Sequence, residues 1–303
     1  MNRRKFLKMQ SAFLAASLAA SLPAFSLAAQ QWPDIAVVRG APAEAVKMAV
    51  ELLGGMGAFV KPGQKVVIKP NMSFNANVES AANTHPLVVK QLVVMCLEAG
   101  AASVRVLDHS FYSGQKQLDT SGIPAACNGI APNICHNLTS SSHYRTSSLA
   151  NAVEMRQNAI MRDVLEADVL IAAPVAKSHS STGVSLSLKG QMGLVLDRNS
   201  MHSIYNLDTA IVDLCGSLKP DLIVIDAIRV MSTNGPGGPG VILTPGEIIA
   251  SRDPVAADAL AVASYEWYGR KIQPRQVGHL AQAAKRGLGR MDLENLNIRR
   301  ESV

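Results

Sequence analysis

The chain has 303 residues, of which 48% are hydrophobic and 17% charged, with a formal net charge of +6 at pH 7. That apolar content is enough for a buried core and excludes a disordered or fibrous chain. Lysines and arginines are scattered, without the clustered stripe and interleaved aromatics of a nucleic-acid surface, so no nucleic-acid partner is expected.

Residues 1–29 read as a twin-arginine signal peptide. Arg3-Arg4-Lys5-Phe6-Leu7-Lys8 opens it, and Met9 to Ala29 carries no charge. A spanning helix needs about 20 strongly apolar residues, and Ser17, Ser21 and Pro23 weaken this run. Small residues at Ser26 and Ala28 suit a signal peptidase. The reading predicts export through the twin-arginine translocase, already folded, to the periplasm, with no stable membrane span after cleavage. The signal takes four cations with it, which leaves the mature chain near neutrality at +2.

Residues 30–303 are expected to form a single α/β domain. Ile35–Val38 reads as a strand, Ala43–Leu53 as a helix, and Lys65–Lys69 as a strand ended by Pro70. Pro86–Ala99 is a helix closed by Gly100, a residue suited to a left-handed C-terminal cap. Val104–Asp108 is the next strand. Ser110–Ser148 is polar and has no period, and a loop of that length serves a site or packs as a cap. Ala159–Ala167 then reads as a helix, Asp168–Ala173 as a strand, Ile204–Leu218 as a helix, and Leu222–Asp226 and Glu247–Ala250 as strands. Pro254–Trp267 and Gln276–Arg286 complete the helices. Continuously apolar strands separated by helices predict a mostly parallel sheet with helices on both faces and an inserted loop region.

Cys96 and Cys215 fall in apolar helical runs and read as buried thiols. Cys127 and Cys135 lie in the polar region, where an oxidising compartment permits a disulfide. The chain has no Cys-x-x-Cys pair, so neither an iron–sulfur cluster nor a thiolate zinc site is indicated.

Ligands of such sheets bind beyond the carboxyl ends of the strands. Polar residues gather there: Lys69-Pro70-Asn71, Asp108-His109, Pro174 to His179, Asp226 and Arg252-Asp253. Lys177 to His202 is denser still, with Lys177, His179, Lys189, Gln191, Asp197, Arg198 and His202 around Ser180-Ser181-Thr182-Gly183. Hydroxyl residues beside lysines suit a phosphate or carboxylate. The stretch Asn234 to Gly240 is a Gly/Pro loop without the Gly-Lys-Ser/Thr of a nucleotide-binding loop, and no Gly-x-Gly-x-x-Gly stands between a strand and a helix. His85, His179 and His202 are widely spaced, so a metal would rest on the fold bringing them together. No Gly-x-Ser-x-Gly elbow is present.

These blocks resemble the bacterial and archaeal domain of unknown function 362. The matching segments are Val67-Ile68-Lys69-Pro70-Asn71, Thr84-His85-Pro86, Ala167-Asp168 through Lys177-Ser178-His179, Ser187-Leu188-Lys189-Gly190-Gln191-Met192-Gly193 with His202, Pro220-Asp221-Leu222 with Asp226-Ala227, and Ser251 to Asp258. The resemblance implies no established activity. Many members of that family carry a ferredoxin-type segment, which this chain lacks. The family often has Asn where this chain has Gly190, so Gln191 is expected to take that place if the amide binds a ligand.

The expected site has Lys177, His179, Lys189 and His202 as catalytic groups, with Lys69, Asn71, His85, Gln191, Asp226 and Asp258 binding the ligand. Asp226 and Asp258 are expected to offset the lysines. The expected partner is an anionic small molecule or a cofactor, whose identity the sequence does not name, acted on by redox or group-transfer chemistry. The rival expectation is a non-catalytic periplasmic assembly or maturation partner of a redox enzyme.

Overall fold

A computed structural model describes residues 32–110 and 116–303. The twin-arginine segment, residues 1–29, lies outside the described residues. Among those described, no helix is long and apolar enough to cross a membrane.

In chain order the elements begin with β1 (Ile35–Arg39), α1 (Pro42–Leu52), β2 (Lys65–Pro70), α2 (Pro86–Glu98) and β3 (Ser103–Asp108). There follow α3 (Lys116–Ser121), α4 (Ile123–Asn128), β4 (Cys135–Asn137), β5 (Tyr144–Ser148), β6 (Gln157–Met161) and α5 (Arg162–Leu165). Next come β7 (Val169–Ala173), β8 (Val175–His179), β9 (Gly183–Ser185), α6 (Ser187–Gly190), α7 (Arg198–Ser203) and α8 (Leu207–Ser217). The chain closes with β10 (Leu222–Met231), β11 (Ile242–Leu243), β12 (Glu247–Ser251), α9 (Pro254–Ser264), α10 (Gly278–Lys285) and β13 (Ile298–Ser302).

The main sheet has the order β13-β1-β12-β10-β7-β2-β3-β4. Along that path every neighbouring pair is parallel except those made by β12, which runs against both β1 and β10. The expected mostly parallel α/β architecture is what the chain adopts. Both faces are covered because successive strand residues point to opposite sides. Val66 and Ile68 of β2, Val104 and Val106 of β3, and Val169 and Ile171 of β7 enter one core with α1, α2 and α4. Val67, Leu107, Leu170 and Ala172 enter the other, with α8, α9 and α10. Each fully buried branched or aliphatic side chain contributes about 1.5–3 kcal/mol, and two such layers define the register.

The helix boundaries follow local chemistry. Pro86 sits at the first turn of α2, the His85 ring accepts from the Leu87 N–H, and Gly100 at φ +88° follows the helix. Asp253 caps α9 by accepting from the Val255 and Ala256 N–H groups, again ahead of a proline.

Several expected elements are corrected. Ala159–Ala167 is not a helix: β6 occupies its first part and pairs with β5, and only Arg162–Leu165 is helical. The Ser110–Ser148 stretch holds α3, α4, β4 and β5. α3, β4 and β5 are mostly polar, and the apolar α4 is too short to show a period. The helices expected to start at Ile204 and to reach Trp267 are shorter, Leu207–Ser217 and Pro254–Ser264. Asn206 takes the N-cap position of α8, accepting from the Thr209 N–H. Lys177-Ser178-His179, placed just beyond the carboxyl end of a strand, is itself part of strand β8, wholly buried despite its polarity. Cys127 and Cys135 come together as free thiols that hydrogen-bond to one another, and Cys96 and Cys215 are buried.

The topology places a crevice at the carboxyl end of β2 and β7. From β2 the chain crosses by α2 to β3 on one side; from β7 it crosses by α8 to β10 on the other. The two helices lie on opposite faces, α2 in one core and α8 in the other. Neighbouring strands whose crossovers diverge leave an opening between their connections, which is where ligands of open α/β sheets bind.

Candidate functional site

The crevice at that switch point is lined by Lys69 and Asn71 from the end of β2, Asp108 from the end of β3, and Lys177, His179 and Ser185 from the β8–β9 hairpin. Lys189 and Gly193 follow, and Arg198 and His202 of α7 close one side. It holds about 80 Å³, room for several waters or one small anionic group.

Lys69 and Asp108 form its floor. Both are almost fully buried, and the Lys69 Nζ stands 3.1 Å from Asp108 Oδ1. The Met72 N–H and the Ser73 hydroxyl donate to Oδ2 at 2.9 and 2.7 Å, and the His109 N–H donates to Oδ1 at 2.9 Å. Burial opposes ionisation of Asp108, but the Lys69 charge and these donors outweigh it and hold its carboxyl below the usual range. Lys69 is lowered by burial, against the pull of Asp108, and also donates to the Pro70 carbonyl. Gly193 fits over this pair because it has no side chain: a Cβ there would fall onto Asp108 Oδ1 and the Lys69 Cε, and lie 2.8 Å from Nζ.

Asn71 acts as a clasp. Its Oδ1 accepts from the Val175 N–H at 3.0 Å, and its N–H donates to the Thr84 hydroxyl at 2.9 Å. Thr84 in turn donates to the Ala173 carbonyl at 2.7 Å, joining the ends of β2 and β7.

Lys177 enters from β8, fully buried. Its Nζ donates to the Ala82 carbonyl at 2.6 Å and stands 4.3 Å from the centre of the Phe74 ring. Burial, and then the neighbouring lysines, lower its pKa to about 7. Lys189 is lowered to about 8, by burial first and then by Arg198 and Lys69. Among the described residues the Lys189 ammonium makes no hydrogen bond or ion pair. The Arg198 guanidinium donates to the Ser110 carbonyl at 3.2 Å. Asp108 is the one carboxylate among the described residues that line the crevice, so the site carries an excess of positive charge.

His179 and His202 face each other with ring centres 6.3 Å apart and planes 13° from parallel. Burial, then Lys189, His202 and Lys177, lower His179 to about 3, so it is neutral at physiological pH. Its Nδ1 accepts from the Ser181 N–H at 3.2 Å, which leaves the proton on Nε2 as a donor. His202 is more exposed and is also lowered, by burial and then by Lys189 and Arg198.

The structure therefore brings together Lys69, Asn71, Lys177, His179, Lys189 and His202 and leaves four of the expected residues elsewhere. His85 caps α2 outside the crevice. Gln191 points into a separate small cavity beside Ser187 and Cys215, where its Oε1 has no partner. It does not replace the amide expected at position 190. Gly190 itself lines the crevice, and a Cβ there would meet only Pro174 at 3.8 Å. Asp226 accepts from the His85 and Ile228 N–H groups and lies 3.8 Å from Arg229, with burial raising its pKa. Asp258 accepts from the Ser187 and Leu188 N–H groups, and burial raises it to about 6. Asp258 is spent on the start of α6, and Asp226 on the start of α2, on its own strand and on Arg229, so neither offsets the lysines. Asp108 does, and its place at a strand end was the signal for it. Arg198 was visible in the dense Lys177–His202 stretch but has no motif of its own. No group of three or more His, Cys, Asp or Glu residues converges to hold a metal among the described residues.

The chain is 26% identical over 224 residues to a thylakoid-associated protein of Synechocystis sp., the match covering 70% of this chain and 66% of that one. Two solved structures are similar at lower level. The lactate racemase apoprotein from Thermoanaerobacterium thermosaccharolyticum aligns with a TM-score of 0.47 at 15% identity, over 71% of this chain and 53% of that one. A protein from Thermotoga maritima aligns with a TM-score of 0.37 at 16% identity, over 67% and 55%. The chain thus spans about half the length of these structures and just under two thirds of the curated relative. The model of the domain of unknown function 362 matches residues 66–263, from β2 to the last turn of α9 and so across every side chain of the crevice, and the chain belongs to that family.

Proposed function

We propose that this protein binds a small anionic molecule, or the anionic group of a cofactor, in the crevice between Lys69, Lys177 and Lys189, and acts on it as an enzyme by redox or group-transfer chemistry. The observation that carries the reading is the Lys189 ammonium: it faces a confined, cation-rich site without a partner of its own. Unpaired charge in such a place is costly, and a bound carboxylate or phosphate supplies the missing charge. His179 then donates from Nε2 to the anion, and the more exposed His202 exchanges protons with solvent. The place of action is the periplasm, reached through the twin-arginine translocase. Replacing Arg3 and Arg4 by lysine is expected to leave precursor in the cytoplasm; undiminished periplasmic yield would refute this part.

The binding site is tested by calorimetric titration of the purified protein with inorganic phosphate and with acetate. Loss of one charge-assisted contact removes about 1.5–3 kcal/mol. Lys189→Met is therefore expected to weaken anion binding at least tenfold. The same change raises the thermal midpoint of the empty protein, because it removes an unpaired cation from beside Arg198 and Lys69. Binding equal to that of the parent, or no binding of either anion to the parent, would defeat the reading.

A further inference from the structure

A second, larger cavity shares His179 with the crevice. It holds about 470 Å³ and is lined by Ser180, Ser181 and Thr182 of the β8–β9 turn, Asp208 of α8, Tyr268, and Gln276 at the approach to α10. The two differ in kind: the crevice is cationic and has room for one small group, whereas the neighbour is several times larger and presents hydroxyls and an amide, with its one carboxylate, Asp208, balanced by Arg270.

Two details of the larger cavity point to a ligand. Asp208 uses Oδ1 to accept from the His279 N–H at 2.9 Å and to meet the His279 ring at 3.2 Å. Its Oδ2 has no hydrogen-bond partner among the described residues and remains an acceptor. Tyr268 has φ +54°, a left-handed backbone that a bulky residue rarely adopts. Its N–H donates to the Ser232 carbonyl at 2.9 Å, and its side chain stays largely exposed at the cavity. An exposed aromatic face beside a carboxylate and a row of hydroxyls matches the two needs of a sugar or polyol. Its C–H face packs on a ring, and its hydroxyls both donate and accept.

We propose that the ligand is a polyhydroxylated compound bearing one terminal anionic group, with the anion against Lys189 and Lys177 and the polyol body in the cavity bounded by Asp208 and Tyr268. This rests on the anion-site reading and adds the substrate class: a sugar or polyol phosphate, or a sugar acid.

Two probe pairs test it on the purified full protein: inorganic phosphate against glucose 6-phosphate, and acetate against gluconate. At least one polyhydroxylated member is expected to bind at least tenfold more tightly than its bare anion. Tyr268→Gly, which the left-handed backbone accommodates, and Asp208→Asn are expected to erase that gain while leaving the affinity for the bare anion within twofold. The proposal is overturned if neither polyhydroxylated member gains over its anion, or if both variants preserve the gain. It is overturned too if they weaken both members of a pair equally. If the bare anions fail to bind at all, the anion site falls, and the extended site with it.

Discussion

Asp108→Ala is expected to destabilise the protein by about 3–5 kcal/mol, the cost of breaking a buried ion pair from one side. Asp108 gathers four donors: the Lys69 ammonium, the Ser73 hydroxyl, and the N–H groups of Met72 and His109. Without it Lys69 is left with the Pro70 carbonyl, and burial already disfavours its charge. At this chain length each kcal/mol moves the thermal midpoint by roughly 2–4 °C, so the loss is visible by calorimetry or denaturant unfolding. The double variant Lys69→Met with Asp108→Ala is expected to recover part of it, because an apolar replacement of both partners leaves no unpaired charge. A loss under about 1 kcal/mol for Asp108→Ala, or no recovery in the double variant, would show that the pair is not the keystone of the floor.

The sheet was legible because burial on both faces leaves a plain mark. Val66-Val67-Ile68 and Val169 to Ala173 are apolar at every position, and the helices between them carry prolines and a glycine at their ends. The β5–β6 hairpin was not legible, since Tyr144–Ser148 is polar and mostly exposed, and Ala159–Met161 continues into a short helix that lends it a helical look. β8 escaped for the opposite reason. Lys177, Ser178 and His179 are polar residues buried for a site, and periodicity detects burial only when the buried residues are apolar. The same limit explains the site itself. Which residues are polar at strand ends can be read from the chain; which of them are consumed as helix caps cannot. Asp226 and Asp258 look no different in sequence from Asp108, and all three accept from backbone N–H groups, yet only Asp108 also meets a lysine of the crevice. The distinction depends on where α2 and α6 start in space.

The stability of the empty protein is expected to rise with pH between 7 and 9, a rise that neither a surface lysine nor an ordinary ion pair would produce. Lys177 and Lys189 titrate at about 7 and about 8 when folded, against 10.5 when unfolded. Below pH 7 both states hold these protons, and the folded state bears the full cost of buried, mutually repelling cations. Above it the unfolded chain binds more protons than the folded one, so stability climbs by at most about 1.4 kcal/mol per pH unit for each lysine once its folded pKa is passed. The window closes near pH 9, because the buried thiols, such as Cys96 raised by burial to about 12, lose their protons first in the unfolded chain and pull the other way. Asp258, at about 6, acts below the window. A bound anion favours the charged lysines and raises their pKa values, so saturating phosphate is expected to flatten the rise, and phosphate affinity to fall across the same range. Lys189→Met is expected to remove about half of the slope. Unfolding by denaturant at pH 7, 8 and 9, with and without phosphate, measures all three. Stability that stays level or declines over this range without phosphate would mean that Lys177 and Lys189 keep their ordinary protons, and that the site needs no anion to hold it together.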